Sequence, residues 1–197
     1  VTIGTYTANY NITVQPGTLT IEKTDEELTV SLADFTHVYD GTAYYNTNTA
    51  ETNELTGTTT VLYATSEDAA DEDWTDDLTT ITATAVADSL TIYVKATNPN
   101  YKNTATDTAA LTITARPITL KANNASNEYT GETITYATAE DAEEPYYTIT
   151  NTAEDEGLAP NQSITAATLS GEGIEAGTYP ITIDKSSVTI GTYTANY

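Results

Sequence analysis

The sequence contains no cysteine and no methionine, and it has only one histidine, one phenylalanine and one tryptophan. Without cysteine it can form neither a disulfide framework nor a zinc–thiolate site, and it has no thiol for catalysis. The lack of readily oxidised side chains suits an extracellular location at the cell surface. No apolar run is long enough for a signal peptide or a membrane helix, so this sequence predicts no membrane insertion.

Basic residues are also scarce. The chain carries six lysine and arginine residues against 29 aspartate and glutamate residues, for a formal net charge of −23 and a pI of about 4.1. Nucleic acids and anionic lipid surfaces bind clustered cationic side chains, so neither is expected as a partner. The strong acidic excess predicts a soluble surface that repels its own copies.

The abundant residues favour β-strands. Threonine is the commonest type and there are 15 tyrosines, both of which suit pleated sheets. Apolar and polar residues alternate in three stretches, "LTIYVKA" (90–96), "AALTITA" (109–115) and "TYPITID" (178–184). No stretch has a helical apolar stripe. The sequence therefore predicts an all-β protein of small antiparallel modules, with an immunoglobulin-like sandwich favoured and a β-grasp-like sheet as the alternative.

The first ten residues, "VTIGTYTANY", recur unchanged as residues 188–197. Val1 recurs as Val188, which corresponds to a period of 187 residues. Self-similarity at a fixed spacing is typical of tandem-repeat architectures. We therefore expect slightly more than one period of a repeat joined head to tail.

A weaker repeat divides the period into two modules. Residues 28–42 resemble residues 118–132 at an offset of 90, and "NPNYKNTATDTAALTITARP" (98–117) resembles "TANYNITVQPGTLTIEK" (7–23). Each module thus opens on a strand followed by Tyr-x-Gly and closes on Asn-Tyr and a Leu-Thr-Ile strand. The predicted boundaries are 28–115 for the first module and 116–197 for the second. Residues 1–23 then correspond to the closing strands of a preceding module.

The second module, as bounded above, lacks its closing strand. A strand of matching sequence lies at residues 11–23, whose apolar side chains are Ile12, Val14, Leu19 and Ile21. A module without its last strand exposes an unpaired edge, and a lone strand cannot fold by itself. We expect these four residues to form an inter-repeat strand that completes the second module from an adjacent repeat.

Several short motifs resemble a known family. "VYDGT" (38–42), "ATNPNY" (96–101) and "LTIT" (111–114) are similar to the YDG/MBG-type repeats of very large bacterial surface proteins. "RPITLKANNASNEYTGE" (116–132), "AGTYPITI" (176–183) and the "NYNIT…GTLTI" pattern resemble the companion YGX-type module. The second module departs from this pattern at Thr130, where Asp is usual, and in an acidic insertion near 139–144. The resemblance implies a stalk or adhesin repeat without enzymatic activity.

Few residues are candidates for chemistry. His37, the single histidine, has no second imidazole or thiol for a zinc site, and we interpret it as a strand-end residue. The acidic stretch 67–77 could offer oxygen ligands for calcium, but its spacing matches no EF-hand loop. We interpret this stretch as a solvated loop in which Trp74 anchors the chain to the sheet. The weak candidate metal ligands are Asp68, Asp71, Asp73 and Asp76.

The sequence therefore predicts a structural repeat of an extracellular fibre or adhesin stalk, with no catalytic residue and no cofactor. Its expected partners are copies of itself, the adjacent repeats. Two alternatives stay open. In one, the modules bind a glycan or host protein through the tyrosines of "AYYN" (43–46) and "PYYT" (145–148). In the other, the chain is a discrete subunit that polymerises by donor-strand exchange, with residues 11–22 buried in a neighbour.

Overall fold

The computed structural model describes Thr5, residues 9–54 and residues 57–197. Most of the first copy of the ten-residue repeat, residues 1–4 and 6–8, lies outside the described residues, as do Leu55 and Thr56. The described part contains 3₁₀ turns of three residues at Asp71–Asp73, Leu78–Thr80, Val86–Asp88 and Thr194–Asn196, and no long helix. The remaining regular structure is β, so the prediction of an all-β protein is confirmed.

The first module has six strands: β1 (Val30–Ser31), β2 (Phe35–Val38), β3 (Glu51–Thr52), β4 (Thr60–Ala64), β5 (Leu90–Thr97) and β6 (Ala105–Thr114). It is built around a four-stranded sheet with the order β2-β6-β5-β4. β6 pairs antiparallel with β5 and parallel with β2, and β5 pairs antiparallel with β4. β1 and β3 form a separate antiparallel pair.

Alternation in β5 and β6 builds the core. Successive side chains of a strand point to opposite faces, and the inward residues of β5 are Ile92, Val94 and Ala96, all fully buried. In β6 the inward face includes Leu111 and Ile113, which are 0% and 2% exposed. The predicted alternation of both stretches is confirmed.

A second β layer covers this face. β1 contacts β5 and β6 without pairing with either. Val30 of β1 and the flanking Leu28 and Leu32 belong to the same hydrophobic cluster as Leu111 and Ile92. Two packed β layers around one apolar core favour the sandwich prediction over the β-grasp-like sheet.

The second module has six strands: β7 (Leu120–Ala122), β8 (Ile134–Thr135), β9 (Tyr147–Ile149), β10 (Ala166–Ser170), β11 (Glu172–Gly173) and β12 (Thr182–Thr189). They form the antiparallel pairs β7-β9, β8-β11 and β10-β12. The pairs β7-β9 and β10-β12 correspond to β1-β3 and β4-β5, the two pairings of the first module that do not involve β6. The pair β8-β11 corresponds to the isolated Tyr44–Ala83 bridge.

The registers show which residues of the two modules correspond. Val30 pairs with Thr52 as Leu120 pairs with Ile149, and Tyr63 pairs with Val94 as Leu169 pairs with Ile183. The turn glycines Gly41 and Gly131 both have positive φ, of 87° and 77°. Only glycine adopts this conformation readily, which explains why both modules have Tyr-x-Gly at this point.

Two expectations about strands need correction. The modules are not wholly antiparallel, because β2 and β6 run parallel. The "TYPITID" strand is displaced toward the C-terminus, since β12 begins only at Thr182. Residues 178–181 lack the neighbouring strand that would supply hydrogen-bond partners. Residues 11–23 form no strand within their own chain, and their pairing with an adjacent repeat stays a prediction.

Candidate functional site

The second module has an open side where the first module has β6. Among the described residues of the second module, no strand takes the central position that β6 occupies between β2 and β5. At the offset of 90, β2 corresponds to residues 125–128, and these pair with no strand. A cavity of about 460 Å³ lies there, between residues 125–129 on one side and residues 171–181 on the other.

Residues around this cavity are much more exposed than their counterparts. Tyr39 is 2% exposed, whereas its counterpart Tyr129 is 63% exposed. The counterparts of the buried Ile92 and Val94 are Ile181 and Ile183, which are only half-buried. The second module therefore leaves an apolar face uncovered where β6 covers it in the first. We call this face, bounded by residues 125–129 and 178–184, the acceptor slot.

Residues 9–23, which we call the N-terminal segment, are exposed along their whole length. The four residues predicted to form an inter-repeat strand contact little of their own chain. They are exposed by 39% (Ile12), 72% (Val14), 87% (Leu19) and 88% (Ile21). The chain therefore contains both an uncovered apolar strand sequence and an uncovered apolar slot.

The two modules meet at Arg116, the only arginine in the chain. Its side chain is buried, and its guanidinium donates hydrogen bonds to four backbone carbonyls. One of these belongs to Tyr39 of the first module, at 3.3 Å. The other three lie in residues 154–157 of the second module. Arg116 thus connects the modules through backbone atoms, and sequence reasoning missed it; its place directly before Pro117 at the module boundary was the available signal.

The end of the second module also packs against the first. The amide of Gln162 donates to the Tyr39 hydroxyl at 2.7 Å and accepts from the Tyr197 hydroxyl at 2.5 Å. The rings of Tyr39 and Tyr197 meet edge to face, with centroids 5.8 Å apart. The Val86 amide donates to the Asn196 side chain at 2.9 Å. The second copy of the ten-residue repeat therefore ends in this junction.

One hydrogen bond occurs at the entrance to each module. The backbone amide of Thr24 donates to the Asn100 carbonyl at 2.9 Å, and the amide of Arg116 donates to the Asn196 carbonyl at 2.8 Å. Thr24 and Arg116 each follow a Leu-Thr-Ile sequence, and Asn100 and Asn196 each belong to an Asn-Tyr pair. The contact between the chain entering a module and that module's Asn-Tyr turn is thus repeated.

The predicted metal candidates do not converge. Across residues 9–54 and 57–197, no group of three or more His, Asp or Glu side chains could hold a metal ion. Asp68, Asp71, Asp73 and Asp76 therefore form no such group, and Asp71–Asp73 is a 3₁₀ turn. Trp74 is half-buried, its indole N–H donates to the Ala69 carbonyl, and the Lys95 ammonium lies 4.1 Å from its ring centroid. One face of the indole is thereby covered.

The tyrosine-rich stretches are largely packed within the protein. The Tyr44 hydroxyl donates to Asp40 at 2.7 Å, and its ring lies 3.8 Å from that of His37 in β2. Tyr146 meets Tyr136 edge to face, and Tyr147 pairs with Ala122. The more exposed Tyr129 and Tyr179 both line the acceptor slot. These contacts favour cross-strand packing for most of the tyrosines proposed as a ligand surface.

The cluster of His37, Asp40 and Tyr44 perturbs ionisation. Burial acts to raise the pKa of Asp40, but hydrogen bonds from Tyr44 and Thr42 and the nearby His37 outweigh it, so the pKa lies below its ordinary value. The pKa of Tyr44 is raised, chiefly because its hydroxyl donates to Asp40. A carboxylate whose pKa is lower in the folded chain stabilises the fold above the unfolded pKa of about 4, and this stabilisation is lost as the pH falls through the folded pKa.

Replacing Tyr44 by phenylalanine should raise the pKa of Asp40 toward its ordinary value, because the ring is kept while the donated hydrogen bond is lost. A carboxyl NMR titration of the wild-type and Tyr44→Phe chains measures this shift directly. Tyr45→Phe is the matched control, since Tyr45 is the neighbouring tyrosine and is 39% exposed. An Asp40 pKa equal in all three chains would contradict the assignment.

Within the described residues, no helix is both long and apolar enough to cross a membrane. Comparisons of the chain with protein-family models, with curated proteins and with solved structures found no match.

Proposed function

We propose that the chain is a structural repeat unit of an extracellular bacterial fibre or adhesin stalk, in which modules follow one another head to tail with a period of 187 residues. One repeated contact carries this proposal. The chain entering each module bonds to that module's Asn-Tyr turn, through Thr24 and Asn100 in one case and Arg116 and Asn196 in the other. A contact that recurs at both module entrances suits an array in which every repeat touches only its neighbours.

The character of the module junction supports a mechanical role. A buried arginine and a Tyr39–Gln162–Tyr197 network join the modules, so their relative orientation is held by more than a flexible linker. A surface with a net charge of −23 would keep neighbouring fibres apart. The resemblance to YDG/MBG-type repeats of bacterial surface proteins agrees with this role.

The proposal is tested on the native material. We expect an antibody raised against this chain to label fibres at the cell surface in immunogold electron microscopy. After boiling in denaturant, the labelled material should run as a polypeptide of many multiples of the period. A single species near 21.0 kDa would contradict a covalent tandem array. Label confined to the cell interior would contradict the surface location.

A further inference from the structure

We propose that the acceptor slot of the second module binds the N-terminal segment of a second copy of this sequence, which takes the position that β6 has in the first module. This inference rests on the proposed function, because it treats the two modules as repeats of one design. It goes further by naming the residues that face one another. Four observations support it.

The first observation is the position of β6 between two strands. Leu111 lies opposite both Phe35 of β2 and Leu90 of β5. At an offset of 90, Phe35 corresponds to Ala125. The β4-β5 and β10-β12 registers match Val94 with Ile183, which is an offset of 89, so Leu90 corresponds to Tyr179. Ala125 and Tyr179 both line the cavity. The slot therefore has the two walls between which β6 lies in the first module.

The second observation is that the required edge of residues 125–128 is open. In the first module the backbone amide of Tyr39, directly after β2, donates to the Thr114 carbonyl of β6. The backbone amides of the odd-numbered residues in this stretch therefore face β6. Amides alternate in direction along a strand, so that of Ser126, the counterpart of Thr36, faces the opposite edge. It donates there to the Asp141 carboxylate. Asp141 thus covers the outer edge and leaves the slot edge unpaired.

The third observation is the match of the N-terminal segment to β6. Its Leu-Thr-Ile sequence aligns Leu19 with Leu111 and Ile21 with Ile113, both of which are fully buried in β6. In this register Leu19 lies between Ala125 and Tyr179, and Ile21 lies opposite Asn127. Burying these two apolar side chains favours insertion.

The fourth observation is the lack of charge in the occupant. Residues 1–21 contain no charged side chain in a chain with 29 acidic residues. The slot is lined by Glu128, Glu172 and Glu175 as well as by apolar residues such as Ile181. Charged side chains are rarely buried without a partner, and further acidic groups would be repelled there, so an uncharged stretch suits the slot. Val14 and Leu19 are five positions apart, so a regular strand would point their side chains to opposite faces. Both can face inward only if the alternation is interrupted by one extra or one missing residue between them. Pro16-Gly17 lies at that point, and strand interruptions of this kind accommodate a proline that cannot donate to a ladder.

Such insertion joins two different surfaces, so the contact is heterologous. The slot lies in residues 116–197 and the inserted strand in residues 9–23, so each copy offers both surfaces to different neighbours. Heterologous contacts of this kind continue into a filament when their rotation does not close a ring. Strand addition of this type would fix each repeat against the next in the proposed fibre.

Disulfide trapping tests the register. The chain has no cysteine of its own, so single cysteines can be placed without background. Thr36 pairs with Thr112 in β2 and β6, which makes Ser126 and Thr20 the corresponding pair. Paired residues of adjacent strands lie within disulfide range. We expect a mixture of Ser126→Cys and Thr20→Cys full-length chains to form a disulfide-linked heterodimer under mild oxidation.

The matched control is Thr18→Cys, which is equally exposed and lies two residues out of register on the same face. It should give no heterodimer above background, and adding Leu19→Asp to the Thr20→Cys chain should abolish the wild-type result. Equal yields with Thr18→Cys and Thr20→Cys would overturn the register. A doubly substituted chain that closes only on itself would overturn the second copy as occupant. Failure here leaves the fibre mass and surface labelling above unaffected, so the two proposals can be distinguished.

Discussion

At a concentration too low for copies to associate, Leu111→Ala should destabilise the first module by about 3 kcal/mol, whereas Leu19→Ala should change the stability of the same chain by less than about 0.5 kcal/mol. The two leucines occupy matching positions in the repeat, but Leu111 is fully buried in β6 and Leu19 is 87% exposed. Truncating a buried leucine removes apolar contacts and leaves a cavity, while truncating an exposed one removes almost nothing. Denaturant unfolding followed by fluorescence of Trp74, the only tryptophan, reports the first module.

The same pair of substitutions behaves differently in a chain of two consecutive periods. There the Leu19 position of the second period should lie in the acceptor slot, so its truncation should cost as much as Leu111→Ala does, about 3 kcal/mol, and should act on the preceding second module. Hydrogen exchange of the backbone amides of Ile181 and Ile183, which lie along that slot, measures the effect. Protection that is the same with Leu and Ala would show that the segment does not complete the module. A large effect of Leu19→Ala in the single-period chain, at a concentration too low for copies to associate, would show that it is buried in its own chain.

The strands that are complete within one module could be predicted from the sequence. The alternation in "LTIYVKA" follows directly from one apolar face and one polar face, and the inward residues of β5 are the ones expected. Tyr-x-Gly marks the turns at Gly41 and Gly131 because the backbone there requires positive φ. Such signals are local, so they survive without knowledge of the neighbouring strands.

What could not be predicted depends on residues distant in sequence. The parallel pairing of β2 with β6 joins residues about 76 positions apart, and nothing in either stretch specifies its direction. The contact of Gln162 with Tyr39 joins the two modules across 123 residues. In "TYPITID" the alternation is correct but the strand begins late, since its neighbour is the missing strand rather than a part of the same module. Local pattern therefore specifies strands, and partners decide where they begin.

The second large effect is expected at Arg116. Arg116→Ala should cost about 3 kcal/mol, because it leaves buried carbonyls without their charged donor. These carbonyls belong to both modules, so the substitution should also separate their unfolding. The guanidinium reaches Tyr39 at 3.3 Å, Glu156 at 2.9 Å and Gly157 at 3.1 Å, and it bonds Glu154 as well. We expect the wild-type chain to unfold in one transition and Arg116→Ala to unfold in two.

Lys121→Ala is the charge-matched control, because Lys121 is an exposed cation of the second module only five residues away. It should leave one transition with nearly wild-type stability, since an exposed charge contributes little. Arg116→Lys should resemble Arg116→Ala more than wild type, because an ammonium cannot reproduce the planar fork that reaches several carbonyls at once. If Arg116→Ala and Lys121→Ala unfold alike, the buried guanidinium does not couple the modules. The rigid junction that the proposed load-bearing stalk needs would then have to come from the Tyr39–Gln162–Tyr197 network alone.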